Sequence, residues 1–71
     1  MMSLSKGKIN VTYTVGDINT NDVGMKDFLF TLGCYPGETV TIISKLASNY
    51  VVNIKDARYS IDEQLAKAIL V

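Results

Sequence analysis

The sequence predicts a small, mainly β barrel of about five short strands, with one α-helix inserted after the first strand and a short helical turn before the last. Three observations predict it. Apolar and polar residues alternate over residues 9–15, the period of a strand with one wet face, and Tyr50, Val52 and Ile54 recur at the same period with Val51, Asn53 and Lys55 between and after them. Between them Met25, Phe28, Leu29 and Leu32 recur at i, i+3, i+4 and i+7, a helical stripe. The stretch Leu32-Gly33-Cys34-Tyr35-Pro36-Gly37 then joins that helix to a β-branched run with no room for a linker.

In the first strand, residues 9–15, Ile9, Val11, Tyr13 and Val15 share one face, and Asn10, Thr12 and Thr14 the other. Gly16-Asp17 interrupts the pattern and Ile18 falls out of phase, which a bulge or bend at Gly16 explains. Asn19-Thr20-Asn21-Asp22 is a polar turn that supplies helix caps. Lys26, Asp27 and Thr31 lie off the helical stripe, and Gly24 weakens the first turn. A helix of about three turns is too short to stand alone, so it must pack on the sheet. Phe30 is also off the stripe: either it caps a barrel end or it is exposed.

Gly33 suits the left-handed position that ends a helix, because it has no Cβ to clash. Pro36-Gly37 suits the centre of a type II turn, where Pro presets φ and Gly accepts the positive φ that follows. The second strand, residues 39–44, is β-branched on both faces and therefore central. A turn at 46–49 leads to the third, where Tyr50, Val52 and Ile54 share a face. Lys55-Asp56-Ala57 reverses tightly into 58–61, with Tyr59 and Ile61 inward. Asp62 caps one helical turn over 62–66, with Glu63 near its positive end, and 68–71 form the last strand. Closing such strands into a barrel removes exposed edges.

Seventy-one residues make one domain, read here as spanning 1–71. The chain is 48% hydrophobic, a globular rather than a disordered composition. No apolar run approaches the ~20 residues of a membrane-spanning helix, so no membrane insertion is expected. The opening residues lack the pattern of a secretory signal, and one cysteine cannot form an internal disulfide. A cytoplasmic location follows as the expectation. Seven basic residues balance seven acidic ones, with a single arginine and scattered lysines, which disfavours nucleic acid as a partner.

The chemistry is narrow. With no histidine, the commonest general base and metal ligand is missing, and neither a Cys–His pair nor a Ser–His–Asp triad can form within the chain. The glycines make neither a dinucleotide nor a phosphate-loop pattern, so no enzymatic activity is expected. For a metal, the weak candidate is Cys34, which would need Asp22 and Asp27 or a second molecule to complete its ligands. For a partner surface the candidates are Phe30, Cys34, Tyr35 and Lys26. Phe30 is an aromatic anchor out of register with the core, and Phe30→Ala is expected to weaken binding with little change in melting temperature. Tyr50 reads as a cross-strand filler. An aromatic groove for a proline-containing segment would need Tyr13, Tyr35, Tyr50 and Tyr59 on one exposed side. Tyr13 and Tyr59 read as inward, which counts against it.

Leu29-x-x-Leu32-Gly33-x-x-Pro36-Gly37-x-x-Val40 resembles the "LLxLGLxPGxxV" junction of the FeoA family. The tail from Tyr59 to Val71, closing on Ala66-x-x-Ile69-x-Val71, is similar to that family's "xIALxxxxAxxIxV" ending. The family's opening "LxxLxxG" is reduced to Leu4 and Gly7 at compressed spacing, so residues 1–8 read as a disordered or divergent start. Many relatives have an arginine-rich helix; here its basic residue is Lys26. The resemblance implies an SH3-like barrel and a small cytosolic, non-enzymatic protein of bacterial ferrous iron uptake. Its partner would be the cytosolic part of FeoB, a membrane iron permease with a GTP-binding domain, which would recruit it to the inner face of the membrane. It also implies Fe2+ or another divalent transition metal as a ligand. The same barrel forms the C-terminal domain of iron-dependent repressors, which implies the alternative of a free-standing regulatory domain that binds a protein partner.

Overall fold

Two antiparallel sheets enclose the core in the computed structural model, which describes residues 1–71. The strands are β1 (Thr12–Thr14), β2 (Asp17–Ile18), β3 (Thr39–Leu46), β4 (Asn49–Ile54), β5 (Ala57–Asp62) and β6 (Ile69–Leu70), with helices α1 (Val23–Thr31) and α2 (Glu63–Ala68). One sheet runs β1-β3-β4-β5 and the other pairs β2 with β6. This is the predicted order of strand, helix, three antiparallel strands, helical turn and strand with one addition, β2 before the helix, which makes six strands where about five were expected. β3 is central as expected, and its Val40 and Ile42 are fully buried with Val52 and Ile54 of β4. Tyr50 and Ile61 complete that inward face, with Tyr59 packed at its edge.

The passage from β1 to β2 is where the chain changes sheets. Val15 N–H donates to the Glu38 carbonyl at 2.8 Å, and Gly16 N–H donates to the Leu70 carbonyl at 2.7 Å. Consecutive amides thus bond to different sheets, which is why Ile18 is buried although it is out of phase with Val15. The predicted break at Gly16 is therefore a transfer between sheets rather than a bulge within one.

The first strand is shorter than the alternation suggests. Asn10 has φ 65, left-handed backbone that asparagine tolerates better than most residues. That single residue ends the extended run, so Ile9 and Val11 are 44% and 41% exposed instead of facing inward. Ile9 still bridges Ile42 in parallel sense, and Asn10 N–H donates to the Ile42 carbonyl at 2.8 Å.

Residues 1–8, expected to be disordered or divergent, carry a 3₁₀ turn at Leu4–Lys6 whose Leu4 is wholly buried. The Lys45 ammonium donates to the Gly7 carbonyl at 2.9 Å and the Ser5 carbonyl at 3.3 Å, and α2 packs on the turn. Met2 and Val71 exchange reciprocal backbone hydrogen bonds of 3.0 and 2.8 Å. α2 is capped by Asp62, whose Oδ1 accepts from Leu65 N–H at 2.9 Å, and it continues past the single turn expected, to Ala68. Lys55 and Asp56, at φ 50 and 64, make the two-residue β4–β5 turn, in the mirror-image geometry that suits hairpin twist. No helix is long and apolar enough to cross a membrane.

Candidate functional site: an aromatic rim

The helix α1 starts at Asp22, whose Oδ1 accepts from Met25 N–H at 3.1 Å. It stops in two crossed hydrogen bonds: Gly33 N–H to the Phe30 carbonyl at 2.9 Å, and Cys34 N–H to the Leu29 carbonyl at 3.0 Å. This is a Schellman ending, with Gly33 at φ 89 in the left-handed position and Cys34 buried against Leu29. Glu38 N–H then donates to the Tyr35 carbonyl at 3.0 Å across Pro36-Gly37, with Gly37 at φ 94, the type II turn expected.

Two reversals in so few residues bring Tyr35 back over the end of the helix. Its ring stacks on Phe30, with centroids 5.3 Å apart and planes 21° from parallel. Such a pair contributes about 0.5–1.5 kcal/mol beyond its area burial. Phe30 is half-buried against the core, while Tyr35 is 44% exposed. Both alternatives for Phe30 thus hold in part: it covers the barrel end and shows its edge on the rim.

A cation lies over each ring. Lys26 precedes Phe30 by one turn and holds Nζ 6.0 Å from its centroid. Lys55, from the β4–β5 turn, holds Nζ 5.5 Å from the Tyr35 centroid and 3.4 Å from Glu38 Oε1. Exposed contacts of this kind are worth about 0.5–1 kcal/mol. Gly33 makes room: a Cβ there would stand 3.0 Å from Lys55 Cδ.

The structure therefore gathers Lys26, Phe30 and Tyr35 and adds Lys55, which sequence reasoning missed. No local signal marks Lys55, because a hairpin distant in sequence delivers it. Cys34 is not on the rim; it is wholly buried beneath it. Burial raises its thiol from 9.0 to about 11, so at neutral pH it is a protonated core residue. No three His, Cys, Asp or Glu side chains come together: Asp22, the N-cap of α1, and Asp27 within it are exposed, whereas Cys34 is buried. These donors do not fit a metal held within one chain. The tyrosines divide as well: Tyr50 is buried, Tyr13 and Tyr59 are half-buried, and Tyr35 is exposed, so no single aromatic groove forms.

Phe28, expected in the core, is 45% exposed. It lines a cleft of about 350 Å³ with Asp22, Gly24, Met25, Asp62, Gln64 and Leu65, between the starts of α1 and α2. The helix is rotated from the expected stripe so that Leu29 takes the centre and Phe30 reaches the rim, which turns Phe28 outward.

Solved structures share this architecture. An iron uptake regulatory protein, FeoA, matches with a TM-score of 0.86 at 19% identity over 96% of this chain and 91% of that one. A Stenotrophomonas maltophilia FeoA complexed with zinc, described as a prokaryotic SH3 domain protein, matches with 0.76 at 26% identity over 100% and 89%. A manganese-dependent transcriptional repressor complex with manganese matches with 0.89 at 20% identity; there the chain covers 96% of itself and spans 34% of the repressor. No curated protein matches the sequence. The barrel is thus SH3-like, as the resemblance implied. The FeoA domain model matches residues 2–71, nearly the whole sequence, and the chain belongs to the FeoA family.

Proposed function

We propose that this protein is a non-enzymatic, cytoplasmic accessory of ferrous iron uptake that docks on the cytosolic part of a FeoB-like permease and modulates transport. The observation that carries the reading is the Phe30–Tyr35 stack with Lys26 and Lys55 above it. Aromatic rings beside flexible cations are common energetic centres of protein interfaces. The two lysines suit an acidic docking face, which would steer encounter and fix orientation. Family membership supports the choice of partner, and a chain without histidine whose cysteine is buried supports a role without catalysis.

The test is binding to the purified cytosolic GTP-binding domain of such a permease, measured with and without GTP. Tyr35→Ala and Lys26→Glu are expected to weaken binding about tenfold or more, with a stability cost of about 1–2 kcal/mol for Tyr35→Ala, which loses the stack and a cation contact, and about 0.5–1 kcal/mol for Lys26→Glu. Phe30→Ala is expected to weaken it too, but its half-buried ring adds a stability cost of about 1–3 kcal/mol. That replaces the small melting-temperature effect expected from the sequence. Unchanged affinity in Tyr35→Ala and Lys26→Glu would move the interface off the rim.

A further inference from the structure

The four-stranded sheet has two edges, β1 and β5. β1 is blunted by being three residues long, whereas β5 runs for six with no proline and no irregularity in its pairing to β4. An edge of that kind is a template for another strand. Its free groups can be assigned from register. The two-residue turn makes Ile54 and Ala57 a hydrogen-bonded pair, and pairs then alternate. Tyr59 and Ile61 therefore bond to β4, and the backbones of Arg58 and Ser60 and the N–H of Asp62 face outward, the Asp62 carbonyl opening α2 as its N-cap. No turn or loop amide or carbonyl bonds to them. Their side chains are exposed in one row.

We infer that β5 is a self-association edge, on which a second copy pairs its own β5 in antiparallel sense about a twofold axis at Ser60. Charge selects the register. Only even sums of paired residue numbers bring outward groups together. Centring on Arg58 would set arginine against arginine, and centring on Asp62 would set carboxylate against carboxylate, while centring on Tyr59 or Ile61 would set Arg58 or Asp62 opposite Ser60 and form no ion pair. Centring on Ser60 sets Arg58 of each copy opposite Asp62 of the other, twice, and Tyr59 opposite Ile61. Opposite charges and aromatic–β-branched pairs are the favourable cross-strand combinations. Arg58, the chain's one arginine, has no ion-pair partner within the chain. Asp62 uses Oδ1 to cap α2 and retains Oδ2 for the guanidinium. The surface is isologous, as a closed dimer requires. A single strand pair is a small interface, so the dimer is weak, in the micromolar to millimolar range.

Sedimentation of the full chain from micromolar to millimolar concentration tests it. A monomer–dimer equilibrium is expected, weakened by salt. Ser60→Pro removes an outward N–H, a place where an edge strand tolerates proline, and should raise the dissociation constant at least about tenfold. Circular dichroism must show it folded. Arg58→Asp and Asp62→Arg test the register without removing an amide. Each alone should be monomeric, and an equimolar mixture should form the heterodimer, in which both ion pairs are restored. A wild type that stays monomeric at millimolar concentration overturns the inference, including one that pairs β5 with some other protein's strand. So does a dimer indifferent to Ser60→Pro, or a mixture that shows no preference for the heterodimer.

Discussion

The helix-to-strand junction and the opening of the chain are held in opposite ways. From Leu29 to Val40 most of the fixing bonds close within the segment, Cys34 to Leu29, Gly33 to Phe30 and Glu38 to Tyr35, and Gly37 and Glu38 add two ties to Val15. From Met2 to Asn10 local bonds close only the 3₁₀ turn, Lys6 to Ser3 and Gly7 to Leu4, and the ties that place it are distant: Met2 to Val71, Ser3 to Leu70, Lys45 to Gly7, Asn10 to Ile42. The difference is one of cooperativity. The junction has a shape that its own residues prefer, whereas the opening acquires shape only when β3, β6 and α2 are already in place. Damage to the junction should act as local strain, and damage to the opening should act on the whole fold.

The largest expected effect sharpens this contrast. Leu4 is wholly buried between the opening and α2, so Leu4→Ala should cost about 2–5 kcal/mol in denaturant unfolding, a large share of the stability of a chain this size. A cost below about 1 kcal/mol would break the comparison by showing the opening to be dispensable. Next is the pH dependence carried by Cys34. Its thiol is raised by burial from 9.0 to about 11. Below pH 9 both folded and unfolded states are protonated and its stabilisation is complete. As pH rises from 9 to 11 the unfolded chain loses the proton first, and stability falls by about 2–3 kcal/mol. Equilibrium unfolding across that range, with Cys34→Ala as reference, should show a shallower slope in the variant. Equal slopes would assign the decline to other groups.

The smallest effects lie in the two positive-φ glycines. Gly33→Ala and Gly37→Ala each place a Cβ in left-handed backbone, at about 1–2 kcal/mol. At Gly37 nothing stands within 4 Å, so strain is the whole cost. At Gly33 the Cβ also displaces Lys55 from over Tyr35, so this variant should lose partner affinity as well. If both variants lose affinity equally, Lys55 has no part in the rim.

The same contrast explains how much could be read from the chain. The Schellman ending, the type II turn and both aspartate caps were legible at Gly33, Pro36-Gly37, Asp22 and Asp62, because each is satisfied by residues within a few positions. The alternation at Ile9 and Val11 misled because Asn10 takes a left-handed conformation stabilised by Ile42. The exchange of Phe28 and Phe30 followed from packing across the rim and was invisible to a stripe that counted only helical spacing. Of the rim itself, Lys26, Phe30 and Tyr35 were named from sequence. Lys55 was not, since nothing near it reports the approach of Gly33, and Cys34, named among the surface candidates, is instead the small buried residue that cysteine commonly is.

The reciprocal hydrogen bonds between Met2 and Val71 carry a different implication. Where the two ends of the chain meet side by side, the domain has a single doorway. Joining the two ends by a short flexible bridge and cutting instead at the exposed β3–β4 turn, Ala47-Ser48, should leave every sheet pairing but that hairpin's intact. A barrel of this kind can be carried as a module, attached at one point.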